Sequence, residues 1–154
     1  MAVKISEICD GVALAIESGM SLQTVQSYDE LTEGLNRGDL PLAQVYWEEI
    51  DWDSEFSTDR STFGGGVRQK WITIHVDIYT TVRSTLSEDM RSVVISVDDL
   101  IDMLETQNTP PFFNVSGIKA FDIGNISRAI FEYASGTQAN RYMGIRCTLH
   151  MAVY

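Results

Sequence analysis

The chain has 154 residues, 44% apolar and 21% charged, which fits one packed domain and excludes a chain disordered throughout. Its 22 acidic residues outnumber 11 basic ones for a net charge of −11, a balance that repels phosphate backbones and excludes a basic nucleic-acid footprint. The acidity is lopsided: residues 1–67 carry net −10 and residues 68–154 net −1.

Residues 4–17 read as an amphipathic helix, because Ile5, Ile8, Cys9, Val12 and Ile16 fall on one stripe, with Gly19 as a stop. Glu7 and Asp10 interrupt this stretch and its apolar run is too short for a secretory leader. Cytoplasmic synthesis is the expectation. Residues 22–26 suggest a short strand, and Ser27-x-x-Glu30 reads as a capping box that opens a brief helix ended by Gly34. Residues 42–52 are aromatic and partly β-branched, which predicts a strand contacted on both faces. The polar, glycine-rich stretch 53–68, with Gly64-Gly65-Gly66, is expected to be a long mobile loop.

Residues 71–79 alternate strictly. Ile72, Ile74, Val76 and Ile78 point one way, and Trp71, Thr73, His75, Asp77 and Tyr79 the other, predicting an antiparallel sheet with one face on a core. Thr85-x-x-Glu88 and Ser96-x-x-Asp99 are two more capping patterns. The second is expected to open a helix with Val97, Leu100, Ile101 and Leu104 inside, stopped before Pro110-Pro111. Residues 118–123, 126–133 and 141–154 read as strands, the last two joined by a turn over 134–140. The predicted fold is a single α+β domain over 1–154: a mixed, mainly antiparallel sheet on two main helices, with the glycine-rich loop between its central strands.

Cys9 and Cys147 sit on apolar stripes and read as buried thiols, not as a disulfide framework or a zinc site. His75 and Asp77 share a strand face as a possible dyad, yet no nucleophile motif or third ligand accompanies them, so a polar outer sheet face is the expected role. His150 shares a polar face with Arg146 and Thr148, at a potential subunit contact. Glu48, Glu49, Asp51, Asp53 and Glu55 are the densest acidic cluster, but they lack the glycine and closing glutamate of a calcium loop and read as an acidic rim. The triple glycine leads into a strand, where a phosphate loop needs a helix. No catalytic, metal or cofactor residue is assigned. Tyr46, Trp47, Trp52, Phe56, Trp71 and Tyr79, with Arg68, exceed what one small core needs and are the candidate interface.

In order and texture the chain resembles the tail terminator, or tail-completion, proteins of long-tailed bacteriophages. A first amphipathic helix leads to Leu40-Pro41-Leu42-Ala43-Gln44-Val45-Tyr46-Trp47, then a polar glycine-rich excursion. Val67-Arg68-Gln69-Lys70-Trp71-Ile72-Thr73-Ile74-His75-Val76-Asp77-Ile78-Tyr79 follows, then a helix ending in Met103-Leu104, and last the strand Tyr142-Met143-Gly144-Ile145-Arg146-Cys147-Thr148-Leu149-His150. The resemblance covers nearly the whole chain and rests on no diagnostic motif. It implies a cofactor-free virion protein assembled in the host cytoplasm. Such proteins form a ring, commonly a hexamer, that caps the tail tube, ends its polymerisation and meets the head connector. DNA passes through that ring without specific binding. Head-to-tail adaptor rings share its size and acidity. A small metal-dependent hydrolase using His75, Asp77 and the acidic cluster, or a ligand-binding domain built on the aromatic cluster, are the alternatives from other classes.

Overall fold

A computed structural model describes residues 3–32, 35, 37–51, 70–135 and 138–153. The main elements are α1 (Ile5–Gly19), β1 (Thr24–Gln26), β2 (Leu42–Asp51), β3 (Lys70–Val82), α2 (Leu86–Glu105), β4 (Ile118–Ser135) and β5 (Gln138–Val153), with short 3-10 turns at Arg37–Asp39 and Phe112–Asn114. The strands form one mixed sheet in the order β1-β2-β3-β5-β4. Only β1 and β2 are parallel; every other neighbouring pair is antiparallel. The expected α+β architecture is therefore present, while the glycine-rich stretch 53–68 lies outside the described residues.

Both helices pack on the same side of the sheet. Ile8, Cys9, Val12 and Ile16 of α1 and Val93, Leu100, Met103 and Leu104 of α2 meet Ile72, Ile74, Val76 and Ile78 of β3 and alternate residues Met143 to Val153 of β5 in one core. Fully burying each aliphatic chain is worth roughly 1.5–3 kcal/mol. The strict alternation of β3 is thus what places its isoleucines under the helices. α1 opens at Lys4, whose backbone N–H donates to the Glu7 carboxylate at 3.1 Å, satisfying one donor the first turn leaves open.

Four expectations change. Ser27 does not cap a helix. Its hydroxyl donates to Asp10 at 2.6 Å and residues 28–30 form a turn, so a tertiary partner has captured the side chain the local motif required. Ser96 does not open a helix either, because α2 begins at Leu86 and runs unbroken through it. Val93, Ser96, Leu100 and Met103 are one continuous buried stripe in which a serine stands among apolar residues. The start of α2 is held by Asp89, which is buried and accepts from the Ser84 backbone N–H and hydroxyl at 3.0–3.2 Å, with Arg83 at 3.5 Å. A carboxylate in the first turn also faces the positive end of the helix dipole.

The strands expected at 118–123 and 126–133 are one strand, β4, with a register shift between Ile123 and Asn125. Gly124 marks this bulge, and a Cβ there would come within 2.6 Å of His150 Nε2. Sequence periodicity breaks where the strand merely kinks. Likewise the turn expected over 134–140 is mostly strand: β4 and β5 pair as far as Ser135 with Gln138. Among the described residues no helix is long and apolar enough to cross a membrane.

Cys9 and Cys147 are both fully buried, as expected. Burial pushes each thiol from its ordinary 9.0 up to about 12, and the Asp10 carboxylate adds to the effect at Cys9. Between those values the unfolded chain loses thiol protons that the folded chain keeps, so stability falls as pH rises through the window. A Cys147→Ala variant should lose stability less steeply with pH across this range, whatever its absolute stability. Urea titrations giving parallel slopes for the two proteins would exclude the linkage.

Candidate functional site

Helices α1 and α2 cover one face of the sheet, and among the described residues the second face is met at one end by Thr32, Leu35 and Leu40. At one end of this second face, Leu42, Tyr79, Phe131 and Tyr142 form a small separate core. Tyr79 and Phe131 stack at 4.4 Å between ring centroids, and the Tyr142 hydroxyl donates to the Leu35 carbonyl at 3.2 Å. Gly144 lies beneath the rings; a Cβ at this position would overlap the Ile78 carbonyl and press on Phe131. Tyr79 is only 2% exposed. Its expected place in an interface is therefore corrected to a core position, because β4 curls an aromatic over it.

The middle of the face is polar and internally bonded. Asp77, 2% exposed, accepts from Tyr46 Oη at 2.6 Å and from Arg146 Nε and Nη2 at 2.8 and 3.0 Å. Register explains this contact: Gln44, Asp77 and Arg146 lie level on β2, β3 and β5. The bidentate bond to Asp77 holds the Arg146 guanidinium more firmly protonated than usual. Burial, followed by the bond to Asp77, raises Tyr46 well above the ordinary phenol range. Gln44 bridges inward, accepting from Tyr79 Oη at 3.2 Å and donating to Gln26 at 3.0 Å.

Next along the strands, His75 contacts Glu48 through Nε2 at 2.5 Å and Thr148 through Nδ1 at 3.3 Å, and Thr73 meets His150 Nδ1 at 3.1 Å. His75 and Asp77 lie on the polar face of the sheet, where Asp77 is a buried ion-pair partner, and Glu48 is exposed at its rim. Asp77's partners Tyr46 and Arg146 come from the two neighbouring strands, far apart in sequence. His75 and Asp77 do share a face, but each is engaged by a different partner. Tyr46 and Arg146 are moved away from the near-neutral range in which an acid or base transfers protons efficiently. The adjoining recess, lined by Gln44, Tyr46, Asp77, Phe131 and Arg146, has a volume of about 280 Å³, below the usual size of ligand pockets. A wider groove of about 700 Å³ lies between α1 and residues 107–116.

Of the other expected interface residues, Trp47 is 48% exposed at the edge of β2 and Trp71 is half-buried at the start of β3, level with Asp51. Tyr46 is half-buried in the network. Trp52, Phe56 and Arg68 lie outside the described residues, as do Asp53 and Glu55 of the acidic cluster. Glu48, Glu49 and Asp51 are exposed at the far end of β2. Among the described residues no three His, Cys, Asp or Glu side chains group as a metal site. Arg146 as partner of Asp77, Asp89 as a helix anchor, and exposed Ile123 and Ile130 on β4 were not singled out from sequence. Strand pairing alone reveals the first, and the face alternation of β4 carried a signal for the isoleucines.

No protein-family model matches this chain, and no curated protein matches it.

Removing Asp77 strands three donors on two side chains at once. Asp77→Ala should destabilise the fold by about 2–4 kcal/mol, and Arg146→Ala by a comparable amount because it leaves a buried carboxylate short of its partner. The double variant should cost clearly less than the sum of the two. Additive losses in urea unfolding would mean the pair is not coupled.

Proposed function

We propose that this chain is the subunit of a phage tail terminator ring, which caps the tail tube, ends its polymerisation and provides the surface that meets the head connector. The observation that carries this reading is the division of labour between sheet faces. One face is sealed by helices, and the other is polar, self-bonded and rimmed by the exposed carboxylates Glu48, Glu49, Asp51 and Asp122. A channel that duplex DNA must cross without sticking needs such a wall: negative, because the duplex carries one charge per about 1.7 Å of axis, and with its cations already engaged. Arg146 meets the second condition through Asp77.

The two edges of the sheet also differ, as a ring requires. A closed cyclic assembly is built from unlike, mutually complementary patches on each subunit. One end of the sheet has the acidic end of β2 with Trp47; the other has β4 with Ile123, Ile130 and Arg128. The texture the sequence shares with tail terminators agrees with such a role, and the ring is most simply a hexamer. Its partners are the tail tube protein below and the connector above, and it works in the neck of the virion without a cofactor.

The purified chain should sediment as a closed oligomer, show a central hole in electron micrographs, and halt growth when added to polymerising tail tube subunits. A chain that leaves tube growth unaffected is not a terminator, and a ring that binds the head connector alone would be an adaptor. Replacing Glu48, Glu49 and Asp51 together by Lys should make those rings that still assemble retain DNA at low salt. That retention should fall on a log–log plot against salt by about 0.9 for each phosphate contacted. An assembled variant ring with no DNA affinity would place these carboxylates away from the channel.

A further inference from the structure

We infer that neighbouring copies of this chain join by strand addition: the outer edge of β4 in one copy pairs antiparallel with residues 45–51 of β2 in the next, seating Ile123 against Trp47. This rests on the ring reading above and specifies the surface through which that ring closes.

Among the described residues both edges are open. β1 pairs only with Leu42, Ala43 and Gln44, so among the described residues no strand pairs with the outer side of residues 45–51. β4, 18 residues long, ends the sheet on the other side. Long unpaired edges present rows of backbone donors and acceptors that invite another strand, unless they are blunted by charge, proline or cover. Here both edges instead carry exposed apolar side chains. Trp47 is 48% exposed, Ile123 40% and Ile130 53%.

Direction and level agree with pairing. From β2 through β3 and β5 to β4 every neighbour is antiparallel, so β4 runs opposite to β2. Copies placed side by side by the small rotation of a ring therefore bring β4 antiparallel onto β2 without inverting either sheet. Trp47 is level with Ile74, Ile74 with Leu149, and Leu149 with Ile123. Since Ile74 and Leu149 belong to the core under the helices, Trp47 and Ile123 sit on that same face, in the same row, at opposite ends. In a continued sheet they become cross-strand neighbours, extending the apolar layer from one copy to the next.

Charge favours the unlike pairing over two like edges. The β2 edge contributes Glu48, Glu49 and Asp51, and a β2–β2 contact would set these clusters against each other. The β4 edge contributes exposed Lys119 and Arg128. Arg128 is level with Ile145 on the helix side, where its guanidinium meets the sulfur of Met90 at 3.1 Å, so it lowers the negative charge of this edge without facing the β2 carboxylates. One row opposes the contact: Glu49 is level with Asp122 through Thr73 and His150. Those two side chains lie on the solvated face, where salt screens them, whereas the strand bonds and the Trp47–Ile123 contact are not screened.

Two blocked variants test this. Trp47→Lys spoils the β2 edge and Ile123→Lys the β4 edge, each at a position already about half exposed, so both monomers should keep the wild-type circular dichroism spectrum. Each alone should sediment as a monomer. Mixed in equal amounts they should form a dimer and nothing larger, because the intact β4 of the first variant meets the intact β2 of the second, and both outer edges of that pair are blocked. Self-association of Trp47→Lys alone would instead indicate a β4–β4 contact and overturn the proposal. Rings that form normally from both variants would overturn it too while leaving the ring reading intact, and a wild-type chain that stays monomeric at every concentration would remove both. Should a variant fail to fold, hydrogen exchange on the wild-type chain decides: amides of residues 45–51 should gain protection when the diluted protein is concentrated into rings, and unchanged exchange there would refute the pairing.

Discussion

Both long helices of the described residues lie on one side of the five-stranded sheet, and most of what is unusual in this molecule follows from how its second face is satisfied. The solution is centred on Asp77. A carboxylate at the middle strand, 2% exposed, would be strongly unfavourable if unpaired. Arg146 and Tyr46 reach it from the two neighbouring strands, and the three side chains tie β2, β3 and β5 together across the face opposite α1 and α2. Arg146 is itself only partly buried and lies 5.6 Å from the centre of the Phe131 ring, which connects the polar network to the small aromatic core. The pair thus joins two regions of opposite chemistry on one surface.

Such a network gains less net stability than apolar packing of the same volume, because desolvating the charges offsets much of their attraction. Its contribution lies more in specificity. Register is weakly determined wherever a sheet face is solvated, and a one-residue slip of β5 against β3 would carry Arg146 to the helix side and bury a cation in the main core. The Asp77–Arg146 bond and the isoleucine alternation of β3 therefore select the same register independently. This agreement between levels marks a sequence with one strongly preferred pairing.

Much of the architecture was legible in the sequence, for reasons that mark where legibility stops. Period-2 alternation in β3 and the 3.6-residue stripe of α1 are local signals, and both elements formed where expected. The misreadings over Ser27 and Ser96 share one cause. Serine followed three residues later by an acid is a local motif, and each time the tertiary structure gave the serine another role, at Asp10 in one case and within a buried helix stripe in the other. The break at Gly124 was visible, but sequence cannot separate a bulge within a strand from a gap between two. The polar network was the least legible feature, since Asp77 and Arg146 are 69 positions apart and only the register unites them. Tyr79 misled in the same way: an aromatic on the outward face of a strand looks exposed until a distant phenylalanine covers it.

The same asymmetry that makes the second face polar also determines what the edges can do. Because the main apolar layer is confined to the helix side, any continuation of the sheet must extend that layer or end it with solvated groups. β3 and β5 extend it inward to complete burial, whereas Trp47 and Ile123 leave it unfinished at both ends. Exposed charge on an edge normally discourages pairing, and Glu48, Glu49 and Asp51 would do so for a second acidic edge. They do not project into the apolar layer, however: Glu48 turns to His75 on the opposite face at a register shift in β2. The bulge therefore turns charge to the polar face and leaves the tryptophan on the apolar one. An edge with its carboxylates on one side and its aromatic on the other excludes its own kind electrostatically, yet still accepts an apolar strand.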